Sequence, residues 1–246
     1  MDNQAIKIYG NLEKYYWWFV GRRRVIEKIL SYFFKDAHLQ IIDWGCGPGG
    51  NFLFLQKFGE VFGADASDEA LESCRRQGIA NIVKAADLKE FSDSKKFDLI
   101  TNFDVLEHLQ DDESFLREAR RLLLPGGFIL VTVPAYKFLW SELDDALGHV
   151  RRYGRAELKE KFRRQGYEVL KASYFMTFLS LPMILYRFFG RLTGRAEKPK
   201  FSYVEFPRPI NWLFTQIVYF EAWLLKYINF PFGASIVLLA KKIDEK

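Results

Sequence analysis

The residues of this chain best placed to do chemistry lie in Ile41-Ile42-Asp43-Trp44-Gly45-Cys46-Gly47-Pro48-Gly49-Gly50 and in Val61-Phe62-Gly63-Ala64-Asp65. An apolar run that ends at an acid, turns through glycines and is followed about 20 residues later by a second apolar run ending in Asp reads as a βαβ nucleoside-binding unit. The physical reason is backbone approach. A turn without Cβ atoms brings main-chain N–H groups close to a ligand, and Asp65 can accept hydrogen bonds from both hydroxyls of a ribose. Gly45, Gly47 and Gly50 also satisfy the G-x-G-x-x-G spacing of dinucleotide sites. Asp43, two residues before the first glycine, would repel a pyrophosphate there and argues for a cationic ligand.

Three further segments follow in order along the chain. Ala85-Ala86-Asp87-Leu88 puts an acid after a third apolar run, Phe97-Asp98-Leu99-Ile100-Thr101-Asn102-Phe103-Asp104-Val105-Leu106-Glu107-His108-Leu109 forms the fourth run and its sequel, and Leu124-Pro125-Gly126-Gly127 precedes the fifth. With Asp-Trp-Gly-Cys-Gly-Pro-Gly at 43–49 they resemble, in register, the signatures of the class I S-adenosylmethionine methyltransferases. The ligand of that family carries an ammonium, a sulfonium and no phosphate. The resemblance implies that Asp43 and the backbone of Gly45, Cys46, Gly47 and Gly49 hold the methionine part, Asp65 with Ala66 the ribose, and Asp87 with Leu88 the adenine. It places Phe103 and Asp104 at the rim beside the reactive methyl and lets Arg22 or Arg23 pair with the ligand's carboxylate. The match is close over 41–133. Strand-like runs at 167–172 and 235–240, the segment Gly148-His149-Val150-Arg151-Arg152-Tyr153, and an N-terminal stretch with Trp17-Trp18-Phe19 before Arg22-Arg23-Arg24 resemble a bacterial branch near the ubiquinone-biosynthesis O-methyltransferases.

Methyl transfer is an in-line displacement at a carbon on a sulfonium, so the protein must hold the nucleophile on line, exclude water and accept a proton from a hydroxyl nucleophile. His108, after the fourth run, and His149 are the candidates for that base. Each has a structural alternative, His108 as a residue fixing backbone at a helix start and His149 as part of a corner that orders a lid. Trp18, Arg151, Arg152 and Tyr153 are candidate acceptor contacts, the arginines suited to a phosphate or carboxylate. Cys46 and Cys74 have no metal-ligand spacing, and no metal is expected.

The elements that must position these groups alternate: strands at 41–44, 60–64, 80–84, 97–102 and 127–133, with helices at 49–58, 67–77 and 112–123. Ser67 before Asp68-Glu69 is a plausible N-cap. This predicts an α/β fold with a Rossmann-like, mostly parallel sheet, and the resemblance implies seven strands with the last antiparallel. The expected organisation is an N-terminal helical lid over 1–38, a ligand-binding core over 39–174, an aromatic helical insertion over 175–232, and the last core strand over 233–246.

The chain has 246 residues, of which 24 are Phe, 12 Tyr and 6 Trp, more aromatic surface than one soluble core requires. Two segments, Tyr174–Phe189 and Ile210–Phe230, carry much of it. Neither has the roughly 18 uncharged apolar residues of a membrane span, because Arg187 interrupts the first and Glu221 and Lys226 the second. They read either as core helices capping the sheet or as a monotopic patch on an anionic membrane, since Trp, Tyr and Phe beside Arg and Lys suit the headgroup layer. The net charge of +5 gathers at Arg22–Arg24, Arg151–Arg164 and Arg187, Arg191 and Arg195. No nucleic-acid partner is expected; cytoplasmic residence follows from two unpaired cysteines and an N-terminus without an apolar leader, and the aromatic, basic segments add a peripheral place at the inner membrane face as the sharper alternative. The expected activity is methyl transfer to an oxygen of a lipid, isoprenoid-linked or otherwise amphipathic acceptor. A soluble enzyme for a sugar or small metabolite, a non-catalytic binder and a nicotinamide oxidoreductase are the alternatives, and the oligomeric state is left open.

Overall fold

The computed structural model describes residues 12–92, 94–181, 184 and 206–244. Seven strands, β1 (Leu39–Trp44), β2 (Gly59–Asp65), β3 (Ile82–Lys84), β4 (Phe97–Phe103), β5 (Leu123–Pro134), β6 (Tyr167–Phe175) and β7 (Ser235–Lys242), form one sheet in the order β3-β2-β1-β4-β5-β7-β6. β1 to β5 run parallel, and β7 is antiparallel to both of its neighbours, Leu238 facing Val131 of β5 and Ala172 of β6. The last strand in sequence is therefore interior to the sheet. Its run Ile236–Ala240 is wholly buried, as a strand covered on both faces must be.

Helices cover the sheet: α1 (Trp17–Phe33), α2 (Phe52–Leu55), α3 (Asp68–Arg76), α4 (Asp112–Leu122), α5 (Glu142–Leu147), α6 (Arg155–Arg164) and α7 (Arg208–Leu225). Ser67 caps α3 as expected, accepting from the Ala70 N–H at 3.2 Å. The helix expected over 49–58 shrinks to α2 and a 3-10 turn, Gln56–Phe58. The chain has to re-enter the sheet at Gly59, where any Cβ would collide with the Leu39 backbone. β5 starts four residues early and runs through Pro125-Gly126-Gly127, at the cost of a register shift against β4 between Phe97 and Leu99.

The described helices of the expected N-terminal lid and of the aromatic insertion pack against each other. α1 buries Phe19, Val25, Ile26, Ile29 and Leu30 at helical spacing, and α7 packs across it. Gly21 makes the crossing possible, because a Cβ there would lie 2.6 Å from Val218 Cγ1. The N-terminus of α1 has no side-chain cap of its own. Asn211 of α7 supplies one, accepting from the Trp17 N–H at 2.9 Å and donating to the Tyr15 carbonyl at 2.8 Å. Glu221, a charge that interrupts the apolar run in sequence, is fully buried and accepts from the Thr177 N–H at 2.9 and 3.0 Å and the Phe178 N–H at 3.3 Å. It thereby caps the helical stretch that begins at residue 177.

Gly21→Ala should destabilise the protein by about 1 to 3 kcal/mol through overpacking. Adding Val218→Ala should recover part of that loss, so a double-mutant cycle in urea should show a favourable coupling, and strict additivity would place the helix contact elsewhere.

Candidate functional site

The residues expected to bind a ligand gather at the C-terminal edge of the parallel strands, where open α/β sheets carry their sites. β1 ends in the glycine turn, β2 ends at Asp65, β3 leads to Asp87, and β4 ends at Phe103 and Asp104. Gly45, Gly47 and Gly49 all have positive φ, at +75°, +54° and +92°. A Cβ on Gly45 would overlap Val105, whereas one on Gly47 would point into open space. A turn with room on its outer side and backbone N–H groups along it fits a nucleoside ligand that approaches the main chain.

Asp65 holds this turn. Its Oδ2 accepts from the Gly47 N–H at 2.9 Å and its Oδ1 from the Ser67 N–H at 2.9 Å, and each oxygen keeps a lone pair for a ribose hydroxyl. Asp87 caps the turn Leu88–Glu90, accepting from the Lys89 N–H at 2.9 Å, with Leu88 buried beside it. Ala66 is exposed, and Cys46 is buried beneath the turn, where it and Cys74 both donate to the Gly47 carbonyl.

Asp43 does not face solvent. It is fully buried, accepting from Thr101 Oγ1 at 2.7 Å and from Asn51 Nδ2 at 3.3 Å, and burial pushes its pKa up to about 6 against the lowering effect of those bonds and of Arg22. It acts from below the turn. Thr101, inside the fourth motif, and Asn51, just after the glycine turn, have no role assigned from sequence, although a polar pair Thr101-Asn102 inside an apolar strand was a legible sign that something polar faced it.

Asp104 adopts a left-handed conformation, φ +56°, and takes Thr132 Oγ1 at 3.0 Å on Oδ1 and the Arg22 guanidinium on Oδ2. Arg22 is thus committed to a protein carboxylate and is fully buried, and Arg23 donates to the Glu13 carbonyl. Both arginines thus make internal contacts in this structure, and the Arg22 Nε is left without a partner among the described residues. Glu13, which sequence reasoning passed over, lies against Gly50 with its pKa raised, mainly by burial. Trp18 is half-buried and packs edge-on against Trp17.

The expected acceptor contacts at Arg151, Arg152 and Tyr153 also turn inward. Tyr153 is completely buried, donating to Asp112 Oδ2 at 2.8 Å and lying 3.2 Å from the Leu106 carbonyl. Arg151 pairs with Asp112 at 3.0 Å and donates to the Gln110 carbonyl at 2.7 Å. Arg152 grips Asp144 at 2.7 and 3.0 Å and also reaches the Ala135 carbonyl. Two basic residues and a tyrosine are satisfied here by carboxylates, Arg151 and Tyr153 by the remote Asp112 and Arg152 by the nearby Asp144, so the segment forms a corner. That corner carries His149, whose Nδ1 is 2.8 Å from Asp144 Oδ1, and brings its ring edge-on to His108, with centroids 4.7 Å apart. Burial first, and then the nearby His149, lower the pKa of His108 against the raising effect of the Gly148 backbone and of Asp104. The two histidines singled out from sequence are brought together, beside Glu107.

A family model described as a methyltransferase domain matches residues 19–172. A protein of Mycolicibacterium smegmatis named an S-adenosylmethionine-dependent methyltransferase is 30% identical over 65% of this chain and 62% of its own length. The ubiquinone biosynthesis O-methyltransferase of a Chelativorans species is 34% identical over 38% of this chain and 39% of its own. The chain thus spans less than two thirds of these relatives. Among solved structures, that of a Haloferax volcanii complex between the Trm112 methyltransferase activator and a methyltransferase aligns with a TM-score of 0.63 at 18% identity, covering 99% of this chain and 96% of that one, a likeness of fold. A glycine turn open on its outer side, an acid closing β2, and a family match across the whole sheet edge converge on one conclusion: the chain belongs to the methyltransferase domain family.

Proposed function

We propose that the chain transfers a methyl group from S-adenosylmethionine to an oxygen of an amphipathic acceptor, lipid or isoprenoid-linked, that it meets at an anionic membrane surface on the cytoplasmic side. The observation that carries the donor half is Asp65, its carboxylate pinned by the Gly47 and Ser67 N–H groups beside a turn with open space at Gly47. When bound, S-adenosylmethionine supplies a methyl carbon activated by its sulfonium. Asp65 would hold the ribose, Asp87 and Leu88 the adenine, and the turn with buried Asp43 beneath it the cationic methionine end. Phe103 and Asp104 would line the methyl's rim, and His149 would take the acceptor's proton, with His108 as its wall.

The acceptor half rests on α7. Trp212, Phe220 and Trp223 on one side of it, and Tyr227 in the turn that follows, are 63, 55, 47 and 62% exposed, with Ile210, Leu213 and Ile228 beside them. Phe178, Phe220, Trp223 and Tyr227 form a continuous ladder of ring contacts across this surface. An outward aromatic face of this size, with Arg208 and Lys226 at its ends, is the composition that sits among lipid headgroups. Among the described residues no helix is long and apolar enough to cross a membrane, so the contact proposed is with one face only. Arg187, Arg191 and Arg195, expected to add charge, lie outside the described residues.

Asp65→Ala should lower affinity for S-adenosylmethionine roughly 30-fold or more, about 2 to 4 kcal/mol, with the circular dichroism spectrum unchanged. Calorimetry finding wild-type affinity would remove the ribose assignment.

Asp43 gives a pH signature. A cationic ligand favours the ionised carboxylate, so binding releases a proton below the free protein's pKa of about 6. Affinity should be level above pH 6 and fall by up to about tenfold per pH unit below it, and Asp43→Asn should abolish that slope. An equal slope in the variant would assign it to another group.

Trp212→Ser with Trp223→Ser should cut binding to vesicles containing phosphatidylglycerol by about tenfold or more while leaving the melting temperature nearly unchanged, because both rings are exposed. Raised salt should weaken the wild-type binding. No vesicle binding by the wild type would favour a soluble acceptor.

A further inference from the structure

Glu107 is fully buried with neither carboxyl oxygen hydrogen-bonded, a condition no other buried acid among the described residues shares. The charges around it explain why it has no ionic partner. Arg22, from α1, is paired with Asp104, and Arg152, from the corner before α6, is paired with Asp144. Two cations meet two carboxylates, and Glu107 is the third acid. Burial first, then the nearby Asp104 charge, raise its pKa well above the ordinary carboxylate range, only partly offset by Arg22 and Arg152, and the Tyr153 hydroxyl nearby stays neutral. Such surroundings favour the protonated carboxyl, which is a hydrogen-bond donor.

Across from it stands His149. Asp144 is held well below the usual carboxylate range, with burial opposing and His149 and Arg152 prevailing, and it also accepts from the Ser141 N–H and Oγ at 2.7 and 2.9 Å. An ionised carboxylate 2.8 Å from Nδ1 assigns the ring proton to Nδ1. The Nε2 lone pair is then free, and Nε2 lies 4.0 Å from Glu107 Oε1. That gap is too long for a direct bond. A single oxygen about 2.8 Å from both atoms would subtend an angle of about 90°, close to the donor and lone-pair directions of one hydroxyl.

We propose that Glu107 and His149 together form the seat of the acceptor's reacting hydroxyl, with Asp144 as the positioning residue behind the imidazole. The proposal rests on the oxygen-acceptor reading above. The hydroxyl donates to Nε2 and accepts from the Glu107 carboxyl. In the step itself its O–H bond breaks as the O–CH3 bond forms, the S–CH3 electron pair returns to sulfur, and the proton passes to Nε2. The positive charge that leaves the sulfonium appears on an imidazolium facing Asp144. Glu107 keeps its own proton throughout and bonds first the hydroxyl, then the ether oxygen. A neutral donor at this position holds the oxygen without adding a negative charge that would trap the imidazolium. His108, edge-on to His149, closes one side of the seat.

The test uses the full chain saturated with S-adenosylhomocysteine and glutamate labelled with 13C at the carboxyl. The signal missing in Glu107→Gln should report a protonated carboxyl at pH 7 and should move when 4-dodecylcatechol is added in neutral mixed micelles. With S-adenosylmethionine and the same catechol, Glu107→Gln, which keeps a neutral donor, should stay within about threefold of wild-type kcat, and Glu107→Ala and His149→Gln should each lose about 100-fold. Asp144→Asn should lower kcat more than it raises KM. The wild-type pH profile should fall on the alkaline side as Glu107 ionises, and Glu107→Gln should lack that fall. An ionised Glu107 at pH 7 would overturn the proposal. So would equal inactivity of the Gln and Ala variants, and if a divalent cation then activates the wild type the seat belongs to that cation. If the wild type does not methylate the catechol, the acceptor reading fails, and the carboxyl signal alone decides the state assigned to Glu107.

Discussion

Asp43 is a carboxylate sealed beneath the glycine turn, and its bonds to Thr101 and Asn51 tie three parts of the chain together. Thr101 lies on β4 and Asn51 just before α2, so this one acid joins the end of β1 to its neighbouring strand and to the far side of the turn. A buried carboxylate with one partner missing would cost several times what a surface ion pair is worth, so the three groups stand or fall together. The turn above them then has a fixed floor, and Asp65 fixes its side through the Gly47 N–H. The donor site is therefore a product of backbone geometry, held from below and from one flank, with its remaining side open.

The rim of the site depends on a second layer. Arg22 reaches from α1 to Asp104, and α1 is itself capped by Asn211 and crossed by α7 at Gly21. The insertion's helix α7 thus supports the rim of the candidate site through the helix it covers, as well as offering its aromatic outer face. An ion pair this buried contributes little net stability relative to apolar packing but is costly to break, which suits a contact whose task is to set position. Asp104 also holds a backbone conformation that a residue with a Cβ adopts only when its surroundings insist.

The two halves of the molecule's chemistry meet between these layers. β4 and the turn after it supply Asp104, Glu107 and His108, and the corner before α6 supplies His149 and its carboxylate. Tyr153 and Arg151 lock that corner to Asp112 at the start of α4, so the imidazole is placed by a rigid scaffold and not by a free loop.

What the sequence by itself determined is what local sterics and periodicity encode. The glycine turn, the acids closing β1 and β2, the alternation of strand and helix and the Ser67 cap were legible because each requirement is met within a few residues of the position that imposes it. The roles of Arg22, Arg151, Arg152 and Tyr153 were not, because a basic or phenolic side chain looks the same whether it waits for a ligand or is satisfied inside. Only tertiary structure brings Asp104 to Arg22 across 82 residues of sequence and Asp112 to Tyr153 across 41. The same holds for Glu221, a break in an apolar run when read along the chain and a cap for another helix when folded. It holds for β7, whose place between β5 and β6 is decided by pairing on both edges. It holds most for Glu107, whose lack of a partner is a property of every group around it.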